Sequence, residues 1–149
     1  MSTEQGIRSI LLLIVAIGAL GLIAELLLLE HYEEWTQWLP LAVLGAVLIG
    51  SALVWMRPTR VTVQSFRVLM SLTLVVGMVG LVLHFTGNRE FEREMDGALR
   101  GWPLVWESLR GATPTLAPGA MIQLGLLGLA LTWRHPALSN VSETQPLET

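Results

Sequence analysis

The sequence predicts an all-helical integral membrane protein built as a four-helix bundle, and three observations carry that prediction. The chain of 149 residues is 52% hydrophobic and only 14% charged, whereas charged residues make up about a quarter of a soluble domain. Its apolar residues gather into four runs separated by short polar stretches. All six tryptophans, Trp35, Trp38, Trp55, Trp102, Trp106 and Trp133, fall at the ends of those runs or in the connections between them. Indole favours the headgroup layer, where its ring is half-buried and its N–H stays hydrated, so these residues read as interface anchors.

The first predicted helix covers residues 7–29. This run of 23 apolar residues crosses a hydrocarbon core of about 30 Å at about 1.5 Å per residue. It is longer than the core of a cleaved signal peptide, about 7 to 15 residues, and ends in Glu30 and His31 rather than in a small-residue cleavage site, so it reads as a retained span. The second helix covers 40–56, with Pro40 in the first turn, where a proline sacrifices no hydrogen bond, and Pro58 beyond its end. The third covers 66–85 and is closed by Gly87 and Asn88, residue types that tolerate a left-handed turn. The fourth covers 116–133, entered through Pro114 and Pro118 and stopped by Arg134, His135 and Pro136.

Residues 1–136 thus read as one transmembrane domain, with 137–149 as a flexible polar tail. Between the third and fourth spans, residues 88–110 read as an amphipathic interfacial segment. Asn88 would cap a helix in which Phe91, Met95, Leu99 and Trp102 recur at three- and four-residue spacing, and a second short helix would start at Pro103 and stop at Gly111. Orientation follows from arginine. Arg8, Arg57, Arg60, Arg67 and Arg134 share one side, and the first hairpin loop carries Glu30, Glu33 and Glu34 and no arginine, so both termini are expected to be cytoplasmic in a cell (inner) membrane.

The chain also reads as a duplication. Residues 40–58 and 118–136 share eight identities in nineteen positions, among them Pro40/Pro118, Trp55/Trp133 and Pro58/Pro136. The first and third helices align at Arg8/Arg67, Gly18/Gly77 and Gly21/Gly80. Two tandem hairpins related by an axis along the membrane normal would result. Gly18, Gly21, Gly77 and Gly80, with Gly125 and Gly128 on the fourth helix, are then expected to be helix-packing positions. A central contact between the first and third helices would bring Glu25 and His84 together as a buried polar pair.

An acid inside a span is expensive and faces a bundle interior, a partner or a cavity, so Glu25 is the leading candidate residue. Three functional readings follow. The first is a structural or accessory subunit that assembles with itself or with other membrane protein subunits in the lipid bilayer. The second is a small proton- or cation-coupled transporter centred on Glu25. The third is a haem-binding electron-transfer subunit with His31 and His84 as axial ligands. No nucleic-acid partner is expected from a net charge of -3 without a basic stripe. No enzymatic activity and no metal site are expected: the chain has no cysteine, Glu30, His31, Glu33 and Glu34 point in different directions from one helix end, and the serines lack a histidine and acid at recognisable spacing. Ser51 and Ser71 are expected to bond back to their own helices.

Overall fold

The computed structural model describes residues 2–139, and within them the chain is helical without strands. Helix α1 spans Thr3–Leu28, α2 Trp38–Met56, α3 Arg60–Met95, α4 Gly101–Arg110 and α5 Gly119–Thr132, with single 3-10 turns at Trp35–Gln37 and Pro136–Leu138. Three stretches, Thr3–Leu28, Trp35–Met56 and Arg60–Met95, are long and apolar enough to cross a membrane, while Gly119–Thr132 is apolar but shorter.

Local chemistry explains the starts. Ser2 caps α1 through a reciprocal pair with Gln5, at 3.3 Å from the Gln5 N–H and 3.0 Å back to the glutamine oxygen, which begins the helix four residues before its apolar run. Thr59 and Thr62 do the same for α3 at 3.2 and 2.9 Å. Pro40 lies in the first turn of α2, as expected.

The end of α1 uses an unusual residue. Glu30 adopts a left-handed φ of 53°, its N–H donates to Leu27, and the N–H of His31 donates to Leu26 at 2.9 Å. These bonds form a Schellman turn, in which glycine is the usual left-handed residue. The turn folds His31 back across the end of the helix.

Helix boundaries differ from the sequence expectation: α1, α2 and α3 begin at Thr3, Trp38 and Arg60 rather than at 7, 40 and 66, and two ends differ for tertiary reasons. Gly87 and Asn88 do not close α3, which runs on to Met95: Asn88 is 2% exposed and its amide is used in tertiary bonds instead of a cap. The interfacial segment is therefore split, with Phe91 and Met95 on α3 and Trp102 on α4, separated by a break at 96–100. The fourth apolar helix is the 14 residues of α5 rather than 116–133, because Pro114 and Pro118 hold 115–118 in turns.

Helices α1, α2, α3 and α5 form a ring in which neighbours are α1 and α2, α2 and α3, α3 and α5, and α5 and α1; α4 lies on α3. Helices α1 and α3 stand at opposite corners without contact, so the expected central contact between them is absent. The core comprises Leu12, Val15 and Ala19 of α1, Val43, Leu44, Val47 and Val54 of α2, Val63, Phe66 and Met70 of α3, and Met121, Leu124 and Leu131 of α5. Ala137 and Leu138, expected in the polar tail, pack against this core; the remainder of that tail, 140–149, lies outside the described residues.

The glycines show why α3 and α5 are the tightest pair. A Cβ on Gly77 would stand 2.9 Å from both the Ile122 nitrogen and the Pro118 carbonyl, and one on Gly125 would stand 2.8 Å from the Met70 carbonyl. Those obstacles are backbone, so only glycine lets the two helices approach this closely. Gly18 packs on Leu124, Gly80 on Pro118 and Gly128 on Met70, whereas Gly21 faces open space. The sequence-matched residues Gly18 and Gly77 therefore both press on α5; a twofold axis would send one of them to α2. The buried stripes make the same point. Leu12, Val15 and Ala19 of α1 match buried Met70, Thr73 and Gly77 of α3, one residue out of the register that the identities define.

Candidate functional site

Polar side chains collect at the two ends of the bundle. At the arginine-rich end α5 stops short, and an α-helix leaves its last four carbonyls without intrahelical partners. The Thr132 hydroxyl and the Trp133 N–H serve Leu129 and Ala130, and two arginines from different helices supply donors to Leu131 and Thr132. Arg8 of α1 donates to the carbonyl of Leu131 and, at 3.2 Å, to that of Arg134. Arg67 of α3 donates to the Thr132 carbonyl at 2.6 Å and to its hydroxyl at 3.4 Å. Guanidinium suits this task, because it stays charged and presents several N–H groups in a fixed fork. Both cations also meet the negative end of the helix dipole.

His135 follows in the same cluster. Its Nδ1 accepts the Ala137 N–H at 3.1 Å, which leaves Nε2 as the protonated nitrogen of the neutral ring. Its pKa is held below 6.5, first by burial, then by the charges of Arg8 and Arg67.

At the opposite end Asn88 organises the loop that returns to α5. Its Nδ2 donates to the Ser108 carbonyl at 3.0 Å, the Thr113 carbonyl at 2.7 Å and the Thr115 hydroxyl at 2.9 Å. Its Oδ1 accepts from the backbone N–H and the hydroxyl of Thr113 at 3.1 and 2.7 Å. A Cβ on Gly111 would stand 2.6 Å from the Asn88 amide carbon, so that glycine lets the loop close over the network. One turn earlier on α3, His84 faces His31 with ring centroids 6.2 Å apart and planes tilted by 43°. The Pro114 carbonyl lies beside the His84 ring, and its Nδ1 is buried without a hydrogen-bond partner.

Comparison with known protein families, curated proteins and solved structures finds no match.

The candidate pair Glu25 and His84 does not form. Glu25 is exposed on α1, and the partner of His84 is His31. The reason is the ring: α1 and α3 are diagonal, and only the Schellman turn reaches across. Among the described residues no group of three or more histidines, aspartates or glutamates is arranged to hold a metal ion. All six tryptophans are exposed, from 48% at Trp106 to 85% at Trp35. Ser71 bonds back to the Arg67 carbonyl at 3.1 Å, but the buried Ser51 hydroxyl has no partner. Sequence reasoning missed Asn88 as a tertiary node and the joint role of Arg8 and Arg67. The alignment that pairs those arginines was the available signal, since two arginines at matched places inside apolar helices need acceptors there.

Proposed function

We propose that this chain is a small multi-pass membrane protein, crossing four times as two hairpins with both termini cytoplasmic. It acts as a structural or accessory subunit that assembles with itself or with a larger membrane complex. The observation that carries this reading is the outer face of α1. Glu25 is exposed there, Gly21 one turn below has nothing within 4 Å, and Leu27, Leu28 and Leu29 beyond it are exposed too. A carboxyl on a lipid-facing helix costs of order 2 to 3 kcal/mol at the centre of a span and less toward its ends. A polar group from a neighbouring protein helix removes that cost, and an open glycine beside it lets such a helix approach closely.

The experiment is purification of the tagged chain from its native membrane in mild detergent, with mass spectrometry of what co-elutes and an absorption spectrum. Stoichiometric partners or a defined oligomer, lost in Glu25→Gln, support assembly. A monomer with nothing bound overturns it and moves the weight to uptake assays on Glu25, the transporter reading. The juxtaposed His31 and His84 rings favour a haem subunit as the second reading, and a coloured preparation whose spectrum is lost in His84→Ala would establish that instead.

A further inference from the structure

Helices α1 and α3 stand at diagonal corners without contact, yet the turn after α1 brings His31 to His84 of α3, with ring centroids 6.2 Å apart. Both rings are carried on fixed backbone. The His31 N–H donates to the Leu26 carbonyl at 2.9 Å in the Schellman turn, and the neighbouring Tyr32 ring packs on Trp38 with centroids 6.3 Å apart. The connection is thereby pinned to α1 and to α2. His84 sits one turn before Asn88, whose side-chain bonds tie α3 to the returning loop. Each imidazole is half-buried, which leaves it within reach of solvent.

The two nitrogens of His84 have different surroundings. A neutral imidazole has one donor and one acceptor nitrogen. The Pro114 carbonyl lies beside the ring as a hydrogen-bond partner and can only accept, while Nδ1 is buried without a partner. The proton therefore belongs on Nε2, and Nδ1 keeps an unused lone pair. A buried acceptor that nothing meets is unfavourable, and a histidine that gives its other N–H to a backbone carbonyl has the arrangement of a metal ligand.

The spacing agrees. An ion about 2.0–2.1 Å from a nitrogen of each imidazole places the two ring centroids roughly 5 to 6.5 Å apart, according to the angle at the metal. The connection that carries His31 also holds Glu30, Glu33 and Glu34 and no arginine, and its field draws cations.

We propose that His31 and His84 together hold one divalent transition-metal ion, which clamps the end of α1 to α3. Imidazole nitrogen suits copper, nickel and zinc, and copper is the tightest of the three. Two protein ligands leave the remaining positions to water, so this is an exchangeable clamp, weaker than a closed structural centre with four. The ion needs no porphyrin and no second subunit, and the proposal stands apart from the assembly and haem readings.

The test is a titration with Cu2+ and, separately, Zn2+ of the full chain, purified in detergent on a histidine-free tag and stripped with a chelator. Equilibrium dialysis and the unfolding midpoint report binding. One ion per chain is expected, with a midpoint that rises with ion concentration, because only the folded chain juxtaposes the rings. His31→Gln and His84→Gln should each weaken binding at least about tenfold, the effect of losing even an outer-shell partner. His135→Gln, at the other end of the bundle, should change nothing. His31 lies in a connection outside the helices, so its variant keeps the fold and decides the matter where His84→Gln does not fold. Equal uptake by His31→Gln and the parent chain, or a parent midpoint indifferent to both ions, overturns the proposal. A metal that leaves only with a porphyrin, and absorbs as haem, overturns it too and establishes the haem reading.

Discussion

Arg67 and Thr132, 65 residues apart in the chain, meet at the end of α5, where the guanidinium donates to the threonine carbonyl at 2.6 Å. Arg8 grips the same helix end from the opposite side. Helix α5 is the shortest member of the ring, and its end stops inside the bundle instead of in water. Unsatisfied carbonyls in an apolar environment cost several kcal/mol each, and the two arginines, with the His135 backbone N–H on Thr132, satisfy the last two carbonyls of this 14-residue helix.

Replacing Arg67 by methionine keeps much of the volume and removes the donors. A hydrogen bond to a charged group contributes about 1.5–3 kcal/mol, so the unfolding midpoint in detergent, followed by circular dichroism, should fall by several degrees. Arg67→Lys should recover only part of the loss, because an ammonium lacks the fork that serves hydroxyl and carbonyl together. An unchanged midpoint in both variants would contradict the capping role.

Asn88 should be less replaceable than its place in a helix suggests. Asn88→Leu removes the donor to the Thr113 carbonyl and the acceptor for the Thr113 N–H and hydroxyl, while the Ser108 carbonyl keeps the Thr115 hydroxyl at 3.1 Å; a loss of about 1–3 kcal/mol is expected. Asn88→Asp is expected to be worse, since it loses both amide donors and sets a carboxylate against those carbonyls. Limited proteolysis reports the effect: cleavage in 101–115 should rise steeply while α1 and α2 stay protected.

The glycines separate by what a methyl group would meet. Gly77→Ala and Gly125→Ala force α3 and α5 apart, and overpacking of this kind costs about 1–3 kcal/mol. Gly21→Ala meets nothing within 4 Å and should leave the isolated chain as stable or more so, by up to about 1 kcal/mol, because alanine loses less backbone freedom in a helix. If α1 is the assembly face, the same substitution weakens association in cross-linking experiments, so a variant of full stability and reduced assembly is the expected outcome.

Glu30 holds a left-handed backbone that a side chain opposes by roughly 1–2 kcal/mol. Glu30→Gly should therefore raise the unfolding midpoint, with the Schellman turn intact. A fall would show that the carboxylate makes a compensating contact.

His135 predicts an acid limb in stability. Its folded pKa lies below 6.5 because burial and the charges of Arg8 and Arg67 disfavour the imidazolium, so below that value the unfolded chain binds the extra proton. Its contribution is present above 6.5 and is lost as pH falls through the folded pKa. His135→Gln should flatten the midpoint-versus-pH curve in the range that opens below pH 6.5, the ordinary histidine value.

How much of this was legible in the sequence depends on the range of the interaction. The place of Pro40 in the first turn of α2 and the exposure of every tryptophan follow from local residue type. The end of α3 was misread because Gly87 and Asn88 resemble a stop, yet Asn88 is committed to residues 20 to 27 positions later. The duplication signal located Arg8, Arg67, Gly18 and Gly77 and implied a symmetric use of them. Their convergence on α5 is asymmetric, because one shortened helix needs donors and close contacts on two sides.

The residues alone carried the helical class, the long apolar helices and the clustering of aromatic and basic side chains, but they counted four spans where three helices have the length and apolarity to cross a membrane. Those are properties of composition and periodicity, which act within a few turns. The tertiary structure alone decided that α1 and α3 stand apart, that His84 meets His31 instead of Glu25, and that Arg8 and Arg67 share the end of α5. Such pairings depend on which helix fits beside which, and backbone approach at Gly77 and Gly125 fixed that choice.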